Sequence, residues 1–358
     1  MKRSVAKIYS IGLLFLFVVG ELTVLVFAWQ SVGRIFSVIG GLLFSLALAP
    51  TVHEFGHLAF AKANAMKLKY IKFFCFQILA QKGKKRFGFA NPFAPDQTQV
   101  LPQKGGDMQR RAGAYALGGL VFGGIFLVAI VAVFFLLLIF VGANYFLLGA
   151  IPYVAYLFFL NLPPLEYASG KTDTLILRGV KKGADEEKIM LACMQIQGEL
   201  SEGKSYGEID KELYLSLPQL PEDEPMYAMN LFFRYRYHLE KKELDEAADA
   251  LNRLASSADY LTEQEETSLA VELVYMNSLF KNQAEADECG KFCACALQAD
   301  ELASKRALSA YSLAFGEREK AQILLKQAQE LLESEEIAGV KKSEEILLDR
   351  LKRIAEQV

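Results

Sequence analysis

The octapeptide Thr51-Val52-His53-Glu54-Phe55-Gly56-His57-Leu58 holds the residue types best suited to chemistry in this chain. On a helix, His53 and His57 stand one turn apart on one face, where both can hold a single Zn2+. Glu54 then lies beside the ion, placed to take a proton from water. The chain has three histidines, and this stretch uses two of them. An apolar run over residues 35–49 leads directly into the motif. Two imidazoles and a carboxylate at the end of such a run are costly unless they serve a function. The sequence therefore points to a zinc site inside a membrane.

The elements that must position this motif follow from a divided composition. Residues 1–183 carry 19 Lys+Arg against 6 Asp+Glu, whereas residues 184–358 carry 20 against 36. The first block reads as an apolar membrane domain with basic loops, and the second as an acidic, soluble helical domain. Five cysteines form no paired Cys-x-x-Cys units, so they read as reduced thiols in helices rather than as a zinc ribbon.

Four apolar runs, over residues 8–29, 35–61, 113–141 and 145–160, predict transmembrane helices. Trp29 anchors the first at an interface, and Glu21 within it is a helix-partner or lumen-facing group. Pro50 is expected to kink or loosen the second just before the motif. Small residues open the third (Gly113, Ala114, Ala116, Gly118, Gly119), which lets it approach the motif helix closely. The fourth ends at Asn161-Leu162-Pro163-Pro164, where two prolines break it. The basic loop 62–112 contains a β-branched and aromatic stretch, 68–79, then a turn over Gln81–Lys85 and a return over 86–90, which together predict a small β-hairpin against the membrane. Basic residues at the N-terminus, in that loop and after Lys171 place all three segments on the cytosolic side.

From residue 184 the chain is helical throughout. Residues 227–241 pair with 244–255, 265–280 with 284–297, and 301–314 with 317–332. Ala247, Ala286 and Ala321 align these pairs at spacings of 39 and 35 residues. That resembles a degenerate tetratricopeptide-like array, with an irregular helical bundle as the alternative. The expected fold class is an all-α membrane protein: about four transmembrane helices and a small β-hairpin loop over 1–183, then a soluble helical C-terminal domain over 184–358.

Catalytic zinc needs a third protein ligand. His238 lies in the soluble half and reads as a packing or surface residue. Asp96 and Asp107 lie in the basic loop, and Glu166 and Asp173 follow the broken fourth helix. Asp173 is the first choice and Glu166 the second.

With these residues in place, the chain resembles the site-2 protease family of intramembrane zinc metalloproteases. The resemblance rests on His53-Glu54-Phe55-Gly56-His57 and on Asn161-Leu162-Pro163-Pro164…Asp173, within residues 35–180. Thr174 stands where the family carries a glycine. The resemblance implies zinc held by His53, His57 and Asp173, Glu54 as the catalytic base, and Asn161 engaging the substrate backbone. It also gives the loop hairpin a use in extending the substrate by strand addition. The function expected is an intramembrane endopeptidase that cleaves transmembrane segments or membrane-bound peptides near the cytosolic face. The alternative is a catalytically inactive membrane scaffold that recruits partners through its helical domain; a metal transporter is the weaker third reading. Expected partners are the lipid bilayer, a single-span membrane protein or peptide substrate and a protein bound to the helical domain, with no nucleic acid. The expected location is a bacterial cell membrane, crossed several times, with both termini cytoplasmic.

Overall fold

The computed structural model describes residues 2–81, 84–92, 94, 96–167, 170–222 and 224–357. It divides into two units, Met1–Leu101 with Asp107–Glu187, and Pro102–Gly106 with Lys188–Val358.

In the first unit, α1 (Lys2–Ala28) leads to α2 (Val32–Ala63), followed by four strands, β1 (Met66–Phe73), β2 (Phe76–Gln81), β3 (Lys84–Phe89) and β4 (Gln97–Pro102). Then come α3 (Met108–Phe140), α4 (Tyr145–Asn161), the two-residue strands β5 (Glu166–Tyr167) and β6 (Gly170–Lys171), and α5 (Asp173–Lys182). Three helices are long and apolar enough to cross a membrane: Ser4–Ala28 within α1, α2 and α3. At 17 residues, α4 is about 25 Å long, shorter than a hydrocarbon core of about 30 Å.

Helix α2 is the centre of this unit and packs against both α3 and α4. Its contact with α3 is backbone on backbone. A Cβ built on Gly56 would fall 2.4 Å from the Gly118 carbonyl oxygen, and one on Gly118 would fall 2.4 Å from that of Gly56. Only glycine at both positions permits this approach, so the small-residue opening of α3 does lie against the motif helix. Pro50 sits inside α2 without interrupting it. Glu21 is buried in α1, and neither of its carboxylate oxygens has a hydrogen-bond partner among the described residues.

The loop is larger than the expected hairpin. Its four strands pair in the order β3-β2-β1-β4. Residues 68–79 are two strands rather than one, because the chain reverses at Phe74-Cys75 so that Phe73 pairs with Phe76 and Tyr70 with Leu79. Phe74 takes the left-handed conformation there (φ 52°). A distant residue fixes the reversal: Asp96 Oδ1 accepts the Phe74 N–H at 2.9 Å and the buried Lys72 Nζ at 2.7 Å. In the turn expected over Gln81–Lys85, Lys82 and Gly83 lie outside the described residues; the flanking Gln81 and Lys84 are paired.

The boundary between units falls inside α6 (Asp185–Ser201), beyond the 183/184 expected from charge. Lys171 explains the shift, since it pairs with both Glu186 and Glu187 in the first turn of α6. Residues Pro102–Gly106 belong to the second unit because α6 holds their backbone. Ser201 donates to the Pro102 carbonyl, while Glu202 and Gln195 accept the Gly105 and Gly106 N–H groups.

The second unit continues with α7 (Glu212–Leu215), α8 (Pro225–Lys241), α9 (Leu244–Ser256), α10 (Glu263–Leu279), α11 (Gln283–Phe292), α12 (Ala294–Gln298), α13 (Leu302–Ala314), α14 (Arg318–Leu332) and α15 (Ala338–Gln357). Helix α8 packs on α9, α10 on α11, and α13 on α14, as the sequence pairs predict. One helix differs: residues 284–297 break into α11 and α12 at the buried Cys293, whose thiol lies 3.1 Å from the Cys289 carbonyl oxygen.

Candidate metal centre

His53 and His57 share one face of α2, and their Nε2 atoms lie 3.2 Å apart. Asp173 completes the group. Its Oδ2 is 3.2 Å from His53 Nε2, and its Oδ1 is 3.4 Å from His57 Nε2. Ligand atoms about 2.0–2.1 Å from a tetrahedral ion stand about 3.3 Å from one another, so the three separations suit one shared ion. Asp173 Oδ2 is buried with no hydrogen-bond partner among the described residues. A carboxylate oxygen left this way is one that a bound cation would satisfy. Among the described residues this is the one group of three or more His, Cys, Asp or Glu side chains arranged to hold a metal.

Local chemistry delivers Asp173 to that point. Pro163 and Pro164 end α4, and the chain turns back through the short β5–β6 ladder. Thr172 then caps α5: its hydroxyl accepts the Leu175 N–H and donates to the Pro163 carbonyl at 2.8 Å. Asp173 is thereby the first residue of a helix whose start is tied to the end of α4.

The imidazoles are oriented from behind. His57 Nδ1 donates to the Tyr115 carbonyl at 2.8 Å, which fixes the proton on Nδ1 and leaves the Nε2 lone pair facing Asp173. The Tyr115 ring also stacks on His57 with centroids 4.7 Å apart, and its hydroxyl donates to the Thr98 carbonyl at 2.5 Å. A Cβ on Gly119 would lie 2.5 Å from His57 Nε2 and 2.7 Å from His53 Cε1, so α3 can come this close only without a side chain there.

The ligands open into a cavity of about 820 Å³ that Glu54, Asn161, Lys171 and Thr98 also line. Glu54 is 8% exposed, and Thr98 on β4 donates to its carbonyl oxygen at 3.2 Å. Asn161 is brought near by Thr174, whose hydroxyl donates to the Asn161 carbonyl at 3.2 Å. Burial by itself would lower the pKa of Lys171, but the carboxylates of Glu186 and Glu187 outweigh it and hold the ammonium above its ordinary value.

The other ligand candidates are placed elsewhere. Glu166 pairs with Lys171 in the β5–β6 ladder and is outside the metal group. Asp96 is engaged by Lys72, and Asp107 caps α3 by accepting the Arg110 N–H. His238 lies in the second unit, 2.6 Å from Glu243. Tyr115 and Thr98 were not singled out by the sequence, and Lys171 was named only among the basic residues that set the topology. Tyr115 did carry one signal, as the single aromatic in the small-residue opening of α3.

No family model, curated protein or solved structure matches this chain.

Proposed function

We propose that the protein is an intramembrane zinc endopeptidase of site-2-protease type. The observation that carries this reading is the convergence of His53, His57 and Asp173 beside Glu54 and Asn161, in one cavity of a unit with three membrane-length apolar helices. Two imidazoles, one carboxylate and a neighbouring glutamate form the donor set of a catalytic zinc site rather than a closed structural one. In this reading α4 is the fourth crossing, its 17 residues lying at the lower bound for a span of about 17–25. Both termini and the sheet-bearing loop face the cytosol of a bacterial cell. Lys62 follows His57 by five residues, about 8 Å along the helix, which puts the site just beneath the cytosolic surface.

Bound zinc would supply Lewis acidity, lowering the pKa of water and polarising a peptide carbonyl. His53, His57 and Asp173 would hold the ion, with the His57 tautomer set by the Tyr115 carbonyl. Glu54 accepts the proton of the attacking water on its carboxylate and passes it to the leaving nitrogen. A transmembrane helix keeps its carbonyls in its own hydrogen bonds and must unwind before attack. Asn161 offers an amide to the unwound backbone. Strand β4, at an edge of the sheet with Gln97 and Thr98 on the cavity wall, offers an edge to an extended peptide.

The second unit is read as a tetratricopeptide-like array that docks a protein partner. Ala247, Ala286 and Ala321 are all 0–1% exposed. In addition, the N–H groups of Glu243, Asn282 and Glu317 donate to the carbonyls of His238, Asn277 and Ser312, repeating one turn at the same spacings of 39 and 35 residues.

The test is reconstitution into vesicles with a single-span substrate. Wild type cleaves, and Glu54→Ala retains zinc while losing cleavage by about 10²–10⁴-fold. Asp173→Ala loses zinc as well. Equal product from wild type and Glu54→Ala would overturn the enzyme reading in favour of the scaffold.

A further inference from the structure

A second cavity, of about 430 Å³, lies between the start of α3 and the end of α5. Its wall is apolar on one side, with Gly113, Ala114 and Leu117 of α3 facing Leu177 and Val180 of α5, and cationic at its mouth, with Arg110 and Lys181. Gln109 clamps the two helices together by donating to the Val180 carbonyl at 3.1 Å. Arg178 and Lys182 share the exposed face of α5 with Lys181, at helical spacing. Among the described residues none of these four cations is paired with a carboxylate, although ten other Lys and Arg side chains are. Asp107 also lines the mouth, but its carboxylate is committed to the Arg110 N–H as the cap of α3.

We infer that this slot seats an anionic phospholipid, its phosphate between Arg110 and Lys181 and the start of its acyl chain along Gly113, Leu117 and Leu177. Charge complementarity selects the head group: two free cations from two helices converge on one cavity mouth, with two more beside it. The apolar wall selects an amphiphile over a bare anion, because it continues into the membrane-length stretch of α3. A zwitterionic lipid fills the same slot with its positive choline group near the same cations, so it binds less well. The inference depends on the membrane character of α3 and is independent of the protease reading. It carries a consequence for the metal centre, since Asp173 begins the helix whose last turn holds Lys181: a lipid in the slot ties the third ligand's helix to the composition of the bilayer.

The test uses the full chain in neutral detergent, where no bilayer surface attracts basic residues in general. Phosphatidylglycerol is titrated in, and the retained lipid is counted by native mass spectrometry. One phosphatidylglycerol per chain is expected, with phosphatidylcholine bound at least tenfold more weakly. Arg110→Gln with Lys181→Gln should weaken phosphatidylglycerol on the order of 30-fold, each cation contributing about fivefold near an anionic lipid. Either single variant, expected to show about the fivefold step, serves if the double variant does not fold. Lys84→Gln with Lys85→Gln, on the exposed strand β3, should leave retention unchanged. Equal retention by wild type and the Arg110 and Lys181 variants would overturn the assignment, as would an equal loss from the β3 variant. Displacement of the lipid by inorganic phosphate would also overturn it, reducing the slot to a bare anion site.

Discussion

Gly119 decides whether the two imidazoles can meet a single ion. A methyl group there would lie 2.5 Å from His57 Nε2, the atom that must carry the ligand lone pair. Gly119→Ala is therefore expected to push the imidazoles off their common point and weaken metal binding by 10–100-fold, the usual cost of disturbing what orients a ligand. Gly123→Ala is the comparison, because its Cβ would meet His53 Nδ1 at an ordinary 3.7 Å and should leave binding nearly unchanged. Zinc per chain, measured against a competing chelator, separates the two; equal affinities would mean the imidazoles do not stand where the structure puts them. At this scale the histidines were legible because helical geometry turns a spacing of four residues into one face. Asp173 was legible because few carboxylates lie near the apolar runs. Tyr115 was not, since it contributes its backbone carbonyl, a group that every residue possesses.

At the scale of elements, the turns of the second unit carry the clearest test. Lys242, Lys281 and Gly316 link α8 to α9, α10 to α11 and α13 to α14, and all three take the left-handed conformation, with φ of 67°, 55° and 89°. An L-residue with a Cβ is strained there by about 1–2 kcal/mol, less the entropy that glycine loses on folding. Lys242→Gly and Lys281→Gly should each stabilise the chain by about 0.5–1 kcal/mol, and Gly316→Lys should cost about the same, read from unfolding midpoints in urea. A midpoint that moves the other way would show these turns to be held by their lysine side chains instead of strained by them. The sequence could locate these turns, because amphipathic helices must change direction where their apolar period lapses. It could not show the reversal at Phe74, because Asp96 holds that turn from 22 residues further along. The break at Cys293 was hidden for a different reason: Gly290, the one Gly or Pro in residues 284–297, lies inside α11, and no Gly or Pro stands at the break itself.

At the scale of the whole chain, charge separated a unit with membrane-length apolar helices from an acidic helical one. It could not show that Glu186 and Glu187 of the acidic half would be claimed by Lys171 of the basic half. Nor could it show that the acidic unit keeps its most consequential charges inside. Arg236 on α8, Glu272 on α10, Arg306 on α13 and Glu344 on α15 are all buried. Arg236 meets Glu344 at 2.6 Å, and Arg306 meets Glu272 at 2.7 Å and Glu344 at 2.9 Å, with its guanidinium 4.2 Å from the centre of the Tyr275 ring. Four helices distant in sequence are thus joined through one charge cluster. Removing a single member leaves its partners charged and dry, so Glu344→Leu should cost about 3–5 kcal/mol. Acid should act in the same direction. Burial alone would raise the Glu344 pKa, but Arg236 and Arg306 outweigh it and hold the carboxyl below its ordinary 4.5. A depressed folded-state value means that the stabilisation is fully present above that pH and is lost as pH falls through the lower one. Unfolding of wild type followed from pH 7 downward should therefore show a loss of stability setting in below about pH 4.5, and Glu344→Leu should show a smaller loss over the same range. Parallel pH profiles for the two chains would mean that Glu344 is not the group through which acid loosens this core.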